Sequence, residues 1–197
     1  MMGTGVIFLD MDGVVNSDAF IDDWIADHGP GETSMARFKS LYYTHDGEPG
    51  YVVPELVDRL KSVCDRTGCR VVWSSSWRQN YWVQDPDSGE FYFDYHRIRH
   101  LWEAKGLPFG RFAGCTPCLD LSRFSYVPRG CEIQEWLNEN AARYNIGRAA
   151  ILDDNEDAEV GVQYENARFF QTTFERGLTE DIAESVVDWL NEGKERL

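Results

Sequence analysis

Val6-Ile7-Phe8-Leu9-Asp10-Met11-Asp12-Gly13 is a short apolar run that passes directly into two carboxylates and a glycine. Such a run, stopped by a turn signal, reads as a buried strand followed by a tight loop. Two later stretches repeat the pattern. Arg70-Val71-Val72-Trp73 leads into Ser74-Ser75-Ser76, and Ala149-Ala150-Ile151-Leu152 leads into Asp153-Asp154. Residues 111–115 and 167–172 read as further strands. Helical signals lie between them. Pro54 opens a helix with Leu56, Val57, Leu60 and Val63 on one face, and Gly68 stops it. Gly130 precedes a helix carrying Ile133, Trp136 and Leu137 at helical spacing, and Thr179 N-caps a last helix through about Leu190.

Short apolar strands alternating with helices predict a parallel α/β sheet covered on both faces, a three-layer α/β/α, Rossmann-like fold. At 197 residues, one domain is expected over 1–197, with residues 17–50 and 79–110 as inserts forming a small cap or lid. The first insert reads as irregular, and the second is rich in aromatics with a helix near 92–105. In parallel sheets, ligands bind beyond the carboxyl ends of the strands. Asp10 and Asp12, Ser74–Ser76 and Asp153-Asp154 all fall there, so the sheet should gather them at one edge.

Composition narrows the function. Apolar residues at 43% and seven Trp indicate a packed globule. Lys+Arg minus Asp+Glu is 19 − 34 = −15, which opposes binding to long nucleic acid but not to a small phosphorylated substrate. No stretch approaches the ~20 apolar residues of a membrane helix, and the N-terminus has no secretory pattern, so a soluble, cytoplasmic protein is expected. The five cysteines are expected reduced. Cys115-Thr116-Pro117-Cys118 has the spacing of a zinc half-site, as a distant second to small buried thiols, since no other tight pair completes it.

Carboxylates spaced i, i+2 across a tight turn can act on one phosphorus, one attacking in line while the other protonates the leaving oxygen. Several carboxylates at one dry site repel, which calls for a hard divalent cation. Mg²⁺ suits an all-oxygen shell. A hydroxyl and a fixed cation are then needed for the remaining phosphoryl oxygens.

The motifs stand in a familiar order. Asp10-Met11-Asp12-Gly13-Val14-Val15 resembles the first motif of haloacid dehalogenase (HAD) superfamily phosphatases. The resemblance implies Asp10 as nucleophile, Asp12 as general acid/base and the Asp12 carbonyl as a metal ligand. The run ending in Ser74-Ser75-Ser76 is similar to the second motif, with Ser75 favoured over Ser74 as the phosphoryl-binding hydroxyl and Gly13 beside it. Arg129 fits the third. Ile151-Leu152-Asp153-Asp154-Asn155-Glu156-Asp157 resembles the fourth, implying Asp153 as first metal ligand, Asp154 as second and Asp157 behind them. A subgroup resemblance adds to this. The pieces 10–16, 75–78, 114–117, 129–137, 151–154 and 177–179 are similar to HAD-like domains of multi-activity RNA repair proteins and small bacterial or phage relatives. It implies phosphate-monoester hydrolysis, with nucleotides as the first substrate class.

Each piece has a plainer reading. Asp-x-Asp-Gly is also half a calcium loop, though the later acids of one are missing. The serines could simply cap a helix. Arg129 could be a surface cation, and 153–157 a solvated acidic loop. Their conjunction and order carry the argument. His28, His45, His96 and His100 show no metal-ligand spacing, His96 and His100 reading as helix surface. The rings of Tyr81, Trp82, Phe91, Tyr92, Phe93, Tyr95 and Trp102 could fill core or stack on a base. Two rivals stay open: sequestration of a phosphorylated nucleotide without turnover, and a nucleic-acid end phosphatase.

Overall fold

A computed structural model of the chain describes residues 3–33, 36, 37, 51–119 and 126–193. Five strands form one parallel sheet: β1 (Thr4–Leu9), β2 (Arg70–Trp73), β5 (Phe112–Cys115), β6 (Ile146–Asp153) and β7 (Ala167–Gln171). Their spatial order is β5-β2-β1-β6-β7. The chain therefore builds outward from β1 on one side, then returns to build outward on the other. β1 and β6 flank the point where the order reverses, which is where parallel sheets open a crevice for ligands. Leu9 pairs with Trp73 on one side and with Leu152 on the other. Asp10, Ser74 and Asp153 consequently emerge side by side.

Alternation along β1 divides the core. Ile7 and Leu9 join a large cluster with the helices α2 (Pro54–Thr67), α3 (Tyr95–Ala104) and α5 (Glu180–Asn191). Val6 and Phe8 join a second cluster with Ile133, Trp136 and Leu137 of α4 (Arg129–Asn140). That is the expected three-layer arrangement. Asp10 continues the phase of Val6 and Phe8, and Asp153 that of Ala149 and Ile151, so both leave the sheet on the α4 side.

The helix over Pro54–Thr67 starts and stops where expected, with Gly68 in the left-handed region at φ 68°. Thr179 caps α5 by accepting from the Ile182 N–H. Two expectations need correction. The first insert is not irregular throughout, because α1 (Asp18–His28) packs Phe20, Ile21 and Trp24 against Tyr51, Val53 and Leu56. Residues 34, 35 and 38–50, including His45, lie outside the described residues. The second insert opens with an antiparallel hairpin, β3 (Trp82–Gln84) and β4 (Phe91–Phe93), before its helix. Asp85 makes the hairpin turn by accepting from Asp87 and Ser88 N–H groups, and Asp94 caps α3 through His96 and Arg97. Tyr81, Phe93 and Trp102 enter the large core, while Phe91, Tyr92 and Tyr95 keep about half their surface exposed (49%, 50% and 51%). His96 and His100 are exposed on α3.

Candidate active site

The loop after β1 is built by Asn16. Its side-chain oxygen accepts from the Gly13 N–H at 2.8 Å, while its amide donates to Asp12 Oδ1 at 2.8 Å. Trp77 holds the other oxygen of Asp12 through its indole N–H, also at 2.8 Å. Both carboxylate oxygens of Asp12 are thus fixed by neutral donors. Gly13 sits at φ 67°, and a β-carbon there would lie 2.7 Å from the Asp154 side chain. Only glycine allows the first loop and the acidic loop to approach this closely.

Asp10 is 5% exposed and Asp153 1%. With Asp154 they form a group in which one carboxylate oxygen from each residue lies within 4.8 Å of the others. It is the one group of three or more metal-ligating side chains among the described residues, and no cysteine belongs to it. Cys64, Cys69, Cys115 and Cys118 are buried free thiols, and Cys131 is free and partly buried. Burial pushes Asp10 up to about 6, against the lowering effect of Arg129 and of a hydrogen bond from Ser75. Asp153 is pushed up to about 7 by burial and by the Asp10 charge. Burial raises Asp154 as well. Carboxyls held this far above the usual range lack an adequate partner within the protein. The buried Asp153 Oδ2 confirms the deficit, having no hydrogen bond. A donor set made only of carboxylate oxygens, crowded and under-neutralised, fits a hard divalent cation.

Ser75 is fully buried; its hydroxyl is close enough to Asp10 to lower that carboxyl and accepts from the Trp77 N–H at 3.3 Å. Ser74 Oγ, by contrast, is buried without a partner. Arg129 stands at the first position of α4. Its guanidinium is 3.8 Å from Asp10 Oδ1 and 3.3 Å from Asp153 Oδ2, and it donates to the Ser74 carbonyl. The 3.3 Å contact is a charge pairing without hydrogen-bond alignment, since Nε finds no acceptor. Gly130 seats this helix: a β-carbon there would lie 2.3 Å from the Val160 carbonyl oxygen. Asp157 lies apart from the three carboxylates and accepts from the Arg129 backbone N–H at 3.4 Å and from the Tyr126 hydroxyl. The structure therefore gathers Asp10, Asp12, Gly13, Ser75, Arg129, Asp153 and Asp154.

Three residues belong to this neighbourhood although the sequence reading gave them no part in the chemistry: Asn16, Trp77 and Arg78. All three lie inside quoted motifs, but nothing in their spacing says what they touch. Arg78 is the least expected, a charged side chain 1% exposed.

Carboxylates, a buried hydroxyl and a fixed guanidinium meeting at the reversal point of a parallel sheet can bind and attack a phosphoryl group. A family model for the HAD domain in Swiss Army Knife RNA repair proteins matches residues 6–183. The chain belongs to that family and is a HAD-type phosphatase, a hydrolase acting on phosphate esters. No curated protein and no solved structure matches the chain.

Proposed function

We propose that the chain is a Mg²⁺-dependent phosphomonoesterase that works through an aspartyl-phosphate on Asp10. The observation that carries this is the close-set group of buried Asp10 and Asp153 with partly buried Asp154, with Ser75 and Arg129 against it. The carboxylates of Asp10, Asp153 and Asp154 and the Asp12 carbonyl would hold the ion. When bound, Mg²⁺ offsets the carboxylate charges and that developing on the phosphoryl oxygens.

The remaining work falls to the protein. Asp10 attacks phosphorus in line while Asp12, aimed by Trp77 and Asn16, gives its proton to the leaving oxygen. Asp12 then takes a proton from the water that hydrolyses the acyl phosphate. Ser75 and Arg129 clamp the phosphoryl oxygens, with Gly13 beside them. We assign the inserts over 17–50 and 79–110 a lid role in a single domain, with 34, 35 and 38–50 outside the described residues, the exposed rings of the hairpin and α3 being available to a base.

A nucleotide or related small phosphorylated molecule is our first substrate class. The family's association with RNA repair favours a second reading, an end phosphatase for oligonucleotides, while the −15 charge stands against long polymers. Phosphate release from nucleoside monophosphates, sugar phosphates and 3′- or 5′-phosphorylated oligonucleotides, with Mg²⁺ and with chelator, tests both. Release that needs Mg²⁺ and disappears in Asp10→Asn is expected. Undiminished release in chelator would exclude the metal role, and binding without release would leave sequestration.

A further inference from the structure

Arg78 occupies the interior of the protein directly behind the phosphoryl-binding segment. Its Nη1 donates to the Ser74 and Ser75 carbonyls at 3.1 and 2.7 Å. Its Nε and Nη2 reach the other neighbouring segment, donating to the Thr116 and Pro117 carbonyls at 3.1 and 3.0 Å. Nη2 also pairs with Glu132, whose second oxygen accepts from the Leu119 N–H at 3.0 Å. Glu132 lies one turn along α4 from Arg129. A single guanidinium thus ties together the ends of β2 and β5 and the first turn of α4.

We propose that Arg78, with Glu132, is a positioning pair that sets the distance between the Ser75 hydroxyl and the Arg129 guanidinium, and so the phosphoryl clamp. This rests on the function proposed above. Two observations support a role beyond filling space. The buried hydroxyls of Ser74 and Thr116 make no hydrogen bond, so these two side chains do not anchor their segments. The Ser74 carbonyl is shared by Arg78 and Arg129, so the strut and the clamp meet on one atom. A planar fork can serve carbonyls on two segments and a carboxylate at once; an ammonium, with three donors at one point, cannot.

The test compares wild type, Arg78→Lys and Glu132→Gln for kcat, KM, inhibition by inorganic phosphate and thermal midpoint. Both variants should lose about 10-fold or more in phosphate affinity and in kcat/KM when assayed well below their midpoints. Mg²⁺ affinity, which depends on the carboxylate group, should stay within about 2-fold. Glu132→Gln keeps the arginine and serves if Arg78→Lys fails to fold. A lowered midpoint with wild-type phosphate inhibition and kcat/KM in the folded variant would reduce the pair to a structural role and overturn the proposal. Should wild type hydrolyse none of the esters, the function proposed above fails instead, and calorimetric titration with phosphate still reads the clamp. Equal phosphate affinity in wild type and variants there would refute the positioning role.

Discussion

Asp10 and Asp12 are two residues apart, yet the protein treats them oppositely. Asp10 is buried and raised to about 6, with Arg129 and Ser75 as partial compensation. Asp12 is partly exposed and has both oxygens engaged by Asn16 and Trp77. Replacing Asp10 by Asn removes the attacking oxygen and a poorly compensated buried charge. Turnover should fall by about 10³-fold or more, while the thermal midpoint at neutral pH does not drop. Calorimetry beside a phosphate-release assay reads both. Trp77→Phe keeps the ring but deletes the N–H that aims Asp12. We expect kcat to fall about 10-fold, part of the 10²–10⁴ that acid–base assistance typically contributes, with KM nearly unchanged. A Trp77→Phe enzyme with full kcat would mean that Asp12 needs no such orientation.

Each element that carries the site ends where its side chain is needed, and packing dictates those ends. Helix α4 begins at Arg129 because Gly130 lets its first turn lie against the Ala158 and Val160 carbonyls. Gly130→Ala must push that turn outward. We expect a loss of about 1–3 kcal/mol in urea denaturation and weaker phosphate binding, because Arg129 moves with the helix. Sequence carried most of this scale. The runs at Val6–Leu9, Arg70–Trp73 and Ala149–Leu152 are bounded by polar residues, so the strands and the shared edge were legible from period and punctuation, while the strand order was not. What was not legible is equally specific. Alternation along β2 places Ser74 in phase with Asp10, so the preference for Ser75 came from the family resemblance and not from period; the strand stops at Trp73 and the following turn brings the Ser75 hydroxyl toward the carboxylate. The hairpin over Trp82–Phe93 was hidden by uniform aromatic content, although Asp85-Pro86-Asp87-Ser88-Gly89 is a strong turn sequence. Arg78 was hidden because a lone arginine in a motif gives no sign that its acceptors are carbonyls some 40 residues away.

For the molecule as a whole, the carboxylate group ties stability to pH and, on the function proposed above, to Mg²⁺. Asp10 and Asp153 lie near 6 and 7, against an ordinary 3.8. Between those values the folded chain keeps protons that the unfolded chain has already released. Stability of the metal-free protein should therefore fall as pH rises from about 4 to about 7 through this pair. A divalent cation binds the deprotonated form, so the rise in midpoint on adding Mg²⁺ should grow over the same interval. Thermal shifts with Mg²⁺ and with chelator at about pH 5 and about pH 8 measure the difference. In Asp153→Asn it should shrink; an equal Mg²⁺ shift at both pH values would detach the ion from these carboxylates.

The strand order also sets when catalytic competence can arise. β1 is central, and its two neighbours come from later parts of the chain: β2 from Arg70 and β6 only from Ile146 onward. During synthesis Asp10, the nucleophile proposed above, therefore emerges long before Arg129, Asp153 and the strand that closes the sheet beside it. Such long-range parallel pairing folds slowly and contributes nothing until both partners exist. On the proposed mechanism, a nascent chain that stops short of β6 carries Asp10 without the group that would make it reactive, so the hydrolase would be latent until nearly all of its sheet has assembled.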